Sequence, residues 1–267
     1  MKKMTIPAIR QMKSRKKIAM ITAYDAQTAR LVDASGVDIV LVGDSLGTVV
    51  LGLSDPLKVT MDHMLHHVEA VARGVSRCLI VADLPFGSMQ QGGETLVRDA
   101  IALMRAGAHA VKIEGANRLE TIRDLVNSGI PVMGHLGLTP QSINAFGGYR
   151  IQGLGEENRE LLVSAAKGLE KAGVFAMVIE CVPSATAEKM TAAVSVPTIG
   201  IGAGSSVDGQ VLVINDLLNM DASFKPRFVK HYANISKEIT DALTHYVKDV
   251  REEIFPASEH EYEDSTE

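Results

Sequence analysis

The stretch AHAVKIEGANRLETIRDLVNSGIPVMGHLG (residues 108–137) shows the unit from which the chain is built. An apolar run at His109–Ile113 gives way to a loop and then to a helical pattern. Ser128-Gly129 ends that pattern, and a second apolar run follows at Pro131–Gly134. Glycine in this place is the usual left-handed stop of a helix ahead of the next strand. The unit recurs in both directions. Further runs lie at Ile18–Thr22, Asp38–Val42, Cys78–Ala82, Val174–Ile179, Pro197–Gly200 and Val211–Ile214, and further stops at Ser35-Gly36, Ala106-Gly107 and Ala172-Gly173. Eight strands alternating with helices predict a parallel (β/α)8 TIM barrel. The rival, an open doubly wound sheet, usually has fewer strands and a glycine-bearing phosphate loop after the first. TAYDAQTAR (22–30) contains no glycine.

The flanks extend this domain. Ile6, Ile9 and Met12 recur at helical spacing and predict a short N-terminal helix closing one end. From Pro226 to Ile254, Phe228, Tyr232, Ile235, Ile239, Leu243, Val247, Val250 and Ile254 lie three or four apart, which predicts a C-terminal helical extension, one long helix or two in succession. Its apolar stripe suits the barrel wall or a subunit interface equally. A single domain over 1–254 is expected, then a flexible acidic tail at 255–267, where EHEYEDSTE (259–267) offers little to bury.

Bulk properties exclude several classes. Aromatics make up only 4% of the 267 residues, with no Trp, so stacking platforms for single-stranded nucleic acid are not expected. A net charge of −5 also speaks against a nucleic-acid partner. No apolar run approaches the roughly 20 residues of a membrane span. MKKMTIPAIRQMKSRKK (1–17) is basic but lacks the apolar core of a signal peptide. Cys78 and Cys181 sit in or beside apolar runs and form no CxxC or Cys/His cluster, so a reducing cytoplasm is the expected compartment.

Chemistry in such a barrel sits where the strands end. Those ends read VLVGDS, IVADLPF, VKIEG, MGHLG and VIECVP, and deliver Asp44, Asp83, Glu114, His135 and Glu180. One such carboxylate is ordinarily solvated or caps the next helix. Four converging on one rim repel unless a cation or proton compensates, and hard oxygen donors without thiolates favour Mg²⁺ over zinc. Strand alternation puts Lys112 and Glu114 on one face and Val111 and Ile113 on the other. The apolar face should meet the helices, turning Lys112 and Glu114 toward the barrel axis. A self-satisfied ion pair is the alternative to a substrate contact there.

Weaker signals surround this set. His63, His66 and His67 lack an HExxH frame and read as exposed helix histidines. GIGAG (200–204) is either an anion cradle or a tight turn. Ser45, beside Asp44, has no neighbouring base and suits a supporting hydrogen-bond donor.

The strings ITAYDA (21–26), GDSLG (43–47), VTMDHMLHH (59–67), ADLPFGS (82–88), AHAVKIEG (108–115), GIPVMGHLGLTPQS (129–142), MVIECVP (177–183) and IGIGAG…DGQVLV (199–213) together resemble the ketopantoate hydroxymethyltransferase family, in order across nearly the whole chain. The resemblance implies transfer of a hydroxymethyl group from 5,10-methylenetetrahydrofolate to 3-methyl-2-oxobutanoate through a Mg-stabilised enolate. The products would be 2-dehydropantoate and tetrahydrofolate, in pantothenate and coenzyme A biosynthesis. It implies one Mg²⁺ per subunit, or another divalent ion in its place, on Asp44 and Asp83, with Glu114 directly or through water. Asp44, Ser45, Asp83, Lys112 and His135 would meet the keto acid, and Glu180 would be the general base. A homodecamer or other large homo-oligomer is implied as well. Asn215, Met89 and Leu154 stand where the resemblance leads one to expect His, an aromatic residue and Arg. A different Mg²⁺ barrel enzyme, a lyase or mutase on an α-keto or phosphono acid, is the nearest alternative and would need no folate. A non-catalytic scaffold would accept metal poorly at this rim.

Overall fold

The computed structural model describes residues 3–223 and 225–262. The apolar runs form eight parallel strands: β1 Ile18–Thr22, β2 Ile39–Val42, β3 Leu79–Asp83, β4 Ala110–Glu114, β5 Val132–Gly137, β6 Ala176–Glu180, β7 Thr198–Ile201 and β8 Gly209–Leu212. They hydrogen-bond in chain order, and β8 returns to β1 to close the barrel. Each lies within two or three residues of its expected run. The chain packs as two compact units, one ending at Ile214 and one beginning at Asn215.

In the first unit, the barrel interior is apolar low down. Met20, Ile39, Leu41, Leu79, Val81, Ala110, Met133, Val178, Ile199 and Val211 form one buried cluster. Helix Ile6–Gln11, capped by Thr5 through the Ala8 amide, adds the fully buried Ile9, and Met12 follows it into the same cluster. The expected N-terminal helix thus plugs the floor. Asp208 anchors the segment that follows, accepting from Lys13 Nζ at 2.8 Å and from the Ser14 amide at 3.0 Å.

The outer helices carry apolar residues at helical spacing. Met64, Val68 and Val71 are buried in helix Met61–Gly74, and Ile122 and Leu125 in helix Leu119–Asn127. Asp33, near the end of helix Ala26–Ala34, ties that layer to the start of β3. It accepts from the amides of Ser76, Arg77 and Cys78 at 3.1, 3.0 and 2.7 Å, and from Ser76 Oγ at 2.8 Å. Burial pushes its carboxyl up, but the bonds from Cys78 and Ser76 more than offset this and hold it below the usual range. Asp33→Ala, which leaves these amides without their acceptor, is expected to cost about 2 kcal/mol in urea unfolding. With the folded carboxyl depressed, its contribution is complete above about pH 4 and drains away as pH falls toward the lowered value. The gap in Tm between wild type and Asp33→Asn should therefore narrow on acidification below that pH.

In the second unit, helix Ile235–Arg251 presents Ile239, Leu243, Tyr246, Val247 and Val250 as an exposed apolar stripe. The expected extension is helical only there. Ahead of it, Val229 N closes a turn on Pro226 O, and two amides are spent elsewhere, Tyr232 N on Leu217 O and Ile235 N on Leu218 O. Helical spacing of Phe228 and Tyr232 could not reveal those distant acceptors. A short 3₁₀ turn, Ser258–His260, lies in the span expected as a flexible tail. The remainder of that tail, 263–267, falls outside the described residues.

Candidate active site at the barrel mouth

Strand register assembles the rim. Asp83 on β3 pairs with Lys112 on β4, and Glu114 on β4 pairs with His135 on β5. Side chains paired in register point to the same face of a sheet. Asp44 lies two residues beyond β2, and its backbone amide donates to Asp83 Oδ2 at 3.0 Å. All seven residues singled out in the sequence, Asp44, Ser45, Asp83, Lys112, Glu114, His135 and Glu180, stand at this one mouth. Asp44, Asp83, Lys112 and His135 are buried, as is the side chain of Glu114.

The ionic pattern differs in one detail from expectation. Lys112 Nζ lies 2.9 Å from Asp83 Oδ1 but 4.0 Å from Glu114 Oε1. The cross-strand partner is therefore closer than the one two residues along the same strand. His135 stands between two carboxylates, with Nδ1 3.4 Å from Glu114 Oε1 and Nε2 3.1 Å from Glu180 Oε2. Burial and the Lys112 ammonium push His135 down, but Glu114 and Glu180 outweigh them and raise it to about 9. Nδ1 also lies 3.2 Å from Lys112 Nζ. Protonated, it cannot accept from the ammonium, and its Nδ1 faces Glu114 Oε1 as one half of an ion pair. Lys112 itself is held up by Asp83 and Glu114 despite its burial.

Asp44 is the strained member. Burial pushes its carboxyl well above the ordinary range, and the charges of Asp83 and Glu114 push the same way. Glu114 moves in the opposite direction, because His135, Lys112 and the Gln141 amide outweigh its burial. The carboxyls of Asp44, Asp83, Glu114 and Glu180 outnumber the cations Lys112 and His135 by two, so a divalent ion would let Asp44 release the proton that its raised carboxyl otherwise favours. Asp83 Oδ1 and Glu114 Oε1 are buried and accept no well-formed hydrogen bond, so lone pairs remain for an incoming group. Hard oxygens and surplus charge fit Mg²⁺ in kind. Among the described residues, however, no three His, Cys, Asp or Glu side chains gather as a ready-made ligand shell.

Local backbone geometry places Glu180. Gly137 ends β5 at φ 91°, and a Cβ there would fall 2.2 Å from the Glu180 carbonyl oxygen, so only glycine lets β5 and β6 close at this level. Cys181, directly after Glu180, takes φ 47°, a strained choice for a cysteine. Its amide donates to Ile201 O at 2.9 Å, and its carbonyl accepts from Gln152 N at 3.0 Å.

Sequence reasoning missed three residues. Gln141 Nε2 donates to Asp44 Oδ2 at 2.8 Å, and its backbone amide donates to Glu114 Oε2 at 2.9 Å. Tyr24 Oη shares a hydrogen bond of 2.8 Å with Ser45 Oγ. Tyr149 is 63% exposed, and its phenol is pushed up by partial burial and by the charges of Glu180, Asp55, Asp44 and Glu114. The histidine expectation needs correcting. His63 completes the N-cap of helix Met61–Gly74, and His67 Nδ1 lies 2.6 Å from the Tyr24 carbonyl; only His66 is fully exposed. Met89 lines a small cavity of about 30 Å³ shared with Leu84, Glu114 and Gln141.

Both the barrel and the sequence have known relatives. Solved structures of the same fold include phosphonopyruvate hydrolase in complex with oxalate and Mg²⁺, with a TM-score of 0.59 and 16% identity, covering 96% of this chain and 93% of that one. Another is 2,3-dimethylmalate lyase, a PEP mutase/isocitrate lyase superfamily member, with a TM-score of 0.60 and 15% identity, covering 96% and 91%. At such identities the likeness concerns the barrel alone. Sequence relatives are far nearer. The 3-methyl-2-oxobutanoate hydroxymethyltransferase of Thermotoga neapolitana is 50% identical over 98% of both chains. That of Syntrophus aciditrophicus is 49% identical, covering 98% of this chain and 97% of its own. The family model for ketopantoate hydroxymethyltransferase matches residues 3–258. With that match over nearly the full length, and half of all positions shared with such relatives, the chain belongs to the ketopantoate hydroxymethyltransferase family.

Proposed function

We propose that the protein transfers a hydroxymethyl group from 5,10-methylenetetrahydrofolate to 3-methyl-2-oxobutanoate, giving 2-dehydropantoate and tetrahydrofolate in pantothenate biosynthesis. The observation that carries this reading is the gathering of Asp44, Asp83, Lys112, Glu114, His135 and Glu180 at one mouth, in a chain of this family. Asp44 and Asp83 would hold Mg²⁺, with Glu114 joining directly or through water. The bound ion supplies Lewis-acid stabilisation of the negative charge that develops on the keto acid.

The remaining work falls to side chains. The Lys112 ammonium and the Ser45 hydroxyl, oriented by Tyr24, meet the substrate carboxylate. Glu180 Oε2 removes the C3 proton, and the electron pair left behind forms the new bond to the donor's methylene carbon. Water supplies the hydroxyl oxygen, and both methylene–nitrogen bonds of the donor break. The two nitrogens take water's protons as tetrahydrofolate leaves, and the proton held by Glu180 passes to the new hydroxyl. His135 lines the pocket and keeps Glu180 oriented through Nε2. The free thiols Cys78 and Cys181 support a reducing, cytoplasmic setting, and the exposed stripe on helix Ile235–Arg251 supports a homo-oligomer. Among the described residues no helix is long and apolar enough to cross a membrane.

Proton NMR of 3-methyl-2-oxobutanoate in D₂O tests both half-reactions. Mg²⁺-dependent loss of the C3 proton, then a hydroxymethyl signal on adding methylenetetrahydrofolate, is the expected result. Exchange without product would move the reading to another electrophile, and no exchange at all would remove it. Lys112→Ala, which deletes a charge-assisted contact, should raise KM for the keto acid by about 10- to 100-fold. An unchanged KM would leave Lys112 as a partner of Asp83 only.

A further inference from the structure

We propose that Gln141 is a positioning residue of this site, holding Asp44 by one oxygen so that the other is presented to the divalent cation. The inference rests on the reading of Asp44 as a metal ligand and adds the residue that makes it one. Gln141 belongs to the 3₁₀ turn Pro140–Ser142 that follows β5. The two hydrogens of its side-chain amide go to Asp44 Oδ2 at 2.8 Å and to the Leu84 carbonyl at 2.9 Å. The Leu84 carbonyl can only accept, so the NH₂ end of the amide must face it and, with it, Asp44. Its backbone amide meanwhile donates to Glu114 Oε2 at 2.9 Å. One residue therefore ties together the chain just beyond β2, the residue following Asp83 on β3, and the end of β4.

The residue type follows from the charge around it. Asp44 is buried beside Asp83 and Glu114, and the favourable charge of Lys112, which sits 2.9 Å from Asp83, is outweighed by burial and by these two carboxylates. A lysine at 141 would neutralise Asp44 and compete with the cation. A glutamate would set an acceptor against two acceptors. An uncharged donor fixes the carboxylate and leaves its charge unspent. Partners that orient a ligand in this way typically contribute about 10- to 100-fold to metal affinity.

Gln141→Met in the full chain removes both side-chain bonds, keeps the length of the side chain and preserves the backbone bond to Glu114. With Mn²⁺ as the probe and its free concentration read by EPR, Kd should rise by about 10- to 100-fold relative to wild type. Metal-dependent C3 exchange should return to within about twofold of wild type once the metal is saturating, because only the presentation of Asp44 has been weakened. A Kd within twofold of wild type would overturn the proposal, as would exchange that excess metal fails to restore. Gln141→Asn, whose amide falls one methylene short, is read the same way if the Met variant does not fold. Wild type and Asp44→Asn are measured alongside. Wild-type protein that binds no Mn²⁺, or an Asp44→Asn variant that binds it as tightly, would remove the ligand reading of Asp44 itself. Loss in Asp44→Asn with no loss in Gln141→Met would remove only the role of Gln141.

Discussion

Glu180→Gln is expected to slow exchange of the C3 proton by about 10³-fold, within the range by which a positioned base accelerates proton transfer. The amide keeps the shape of the carboxylate and its contact with His135, so the loss would belong to the missing basic oxygen. Of the rim carboxylates, Glu180 is the one set apart from the Asp44–Asp83 pair, with 17% of its side chain exposed, so that a proton taken from substrate can pass on to water. Among the described residues its near cation is His135 at 3.1 Å, while Asp83 and Glu114 both lie within 4.0 Å of Lys112. Metal and keto acid should bind the variant as they bind wild type. Retained exchange, followed in D₂O by NMR, would remove Glu180 from the role of base.

Asp44→Asn should weaken Mg²⁺ binding by at least about 100-fold, the upper end of what a mere supporting partner contributes. The same substitution is expected to raise the Tm of the metal-free protein at neutral pH. The sign follows from linkage. The Asp44 carboxyl is raised in the folded state by burial and by Asp83 and Glu114. The folded state therefore holds the proton more tightly than the unfolded chain, and stability falls as pH rises above the ordinary carboxyl value. A neutral amide removes that cost. Wild type should gain Tm on adding Mg²⁺ and the variant should not, because only a state that binds the ion is stabilised by it. Equal gains in the two proteins would show that Asp44 is not a ligand.

The parts of the site that sequence revealed share one physical basis. A parallel strand buried on both faces reads as an apolar run, and alternation then decides which neighbours face inward. Lys112 and Glu114 were legible because Val111 and Ile113 flank them on the other face. Asp44, Asp83 and Glu180 were legible because each stands where a run stops. The preference of Lys112 for Asp83 was not, since it depends on the offset between β3 and β4, which neither strand encodes alone. Gln141 was hidden for a related reason. It lies in the long connection after β5, it carries no charge, and its three acceptors come from three other strand ends. The boundary at Ile214 and the short span of helix Ile235–Arg251 were likewise set by contacts that periodicity does not report.

The plug formed by Ile9 and Met12 makes the barrel a vessel with a single door. In the proposed reaction a keto acid held by Lys112 and Ser45 would lie below anything that arrives later, and a bulky pteridine above it would bar its exit. Binding should therefore be compulsory in order, with the keto acid first in and its hydroxymethylated product last out. In initial-rate studies, 2-dehydropantoate would compete with 3-methyl-2-oxobutanoate, while tetrahydrofolate would compete with neither substrate.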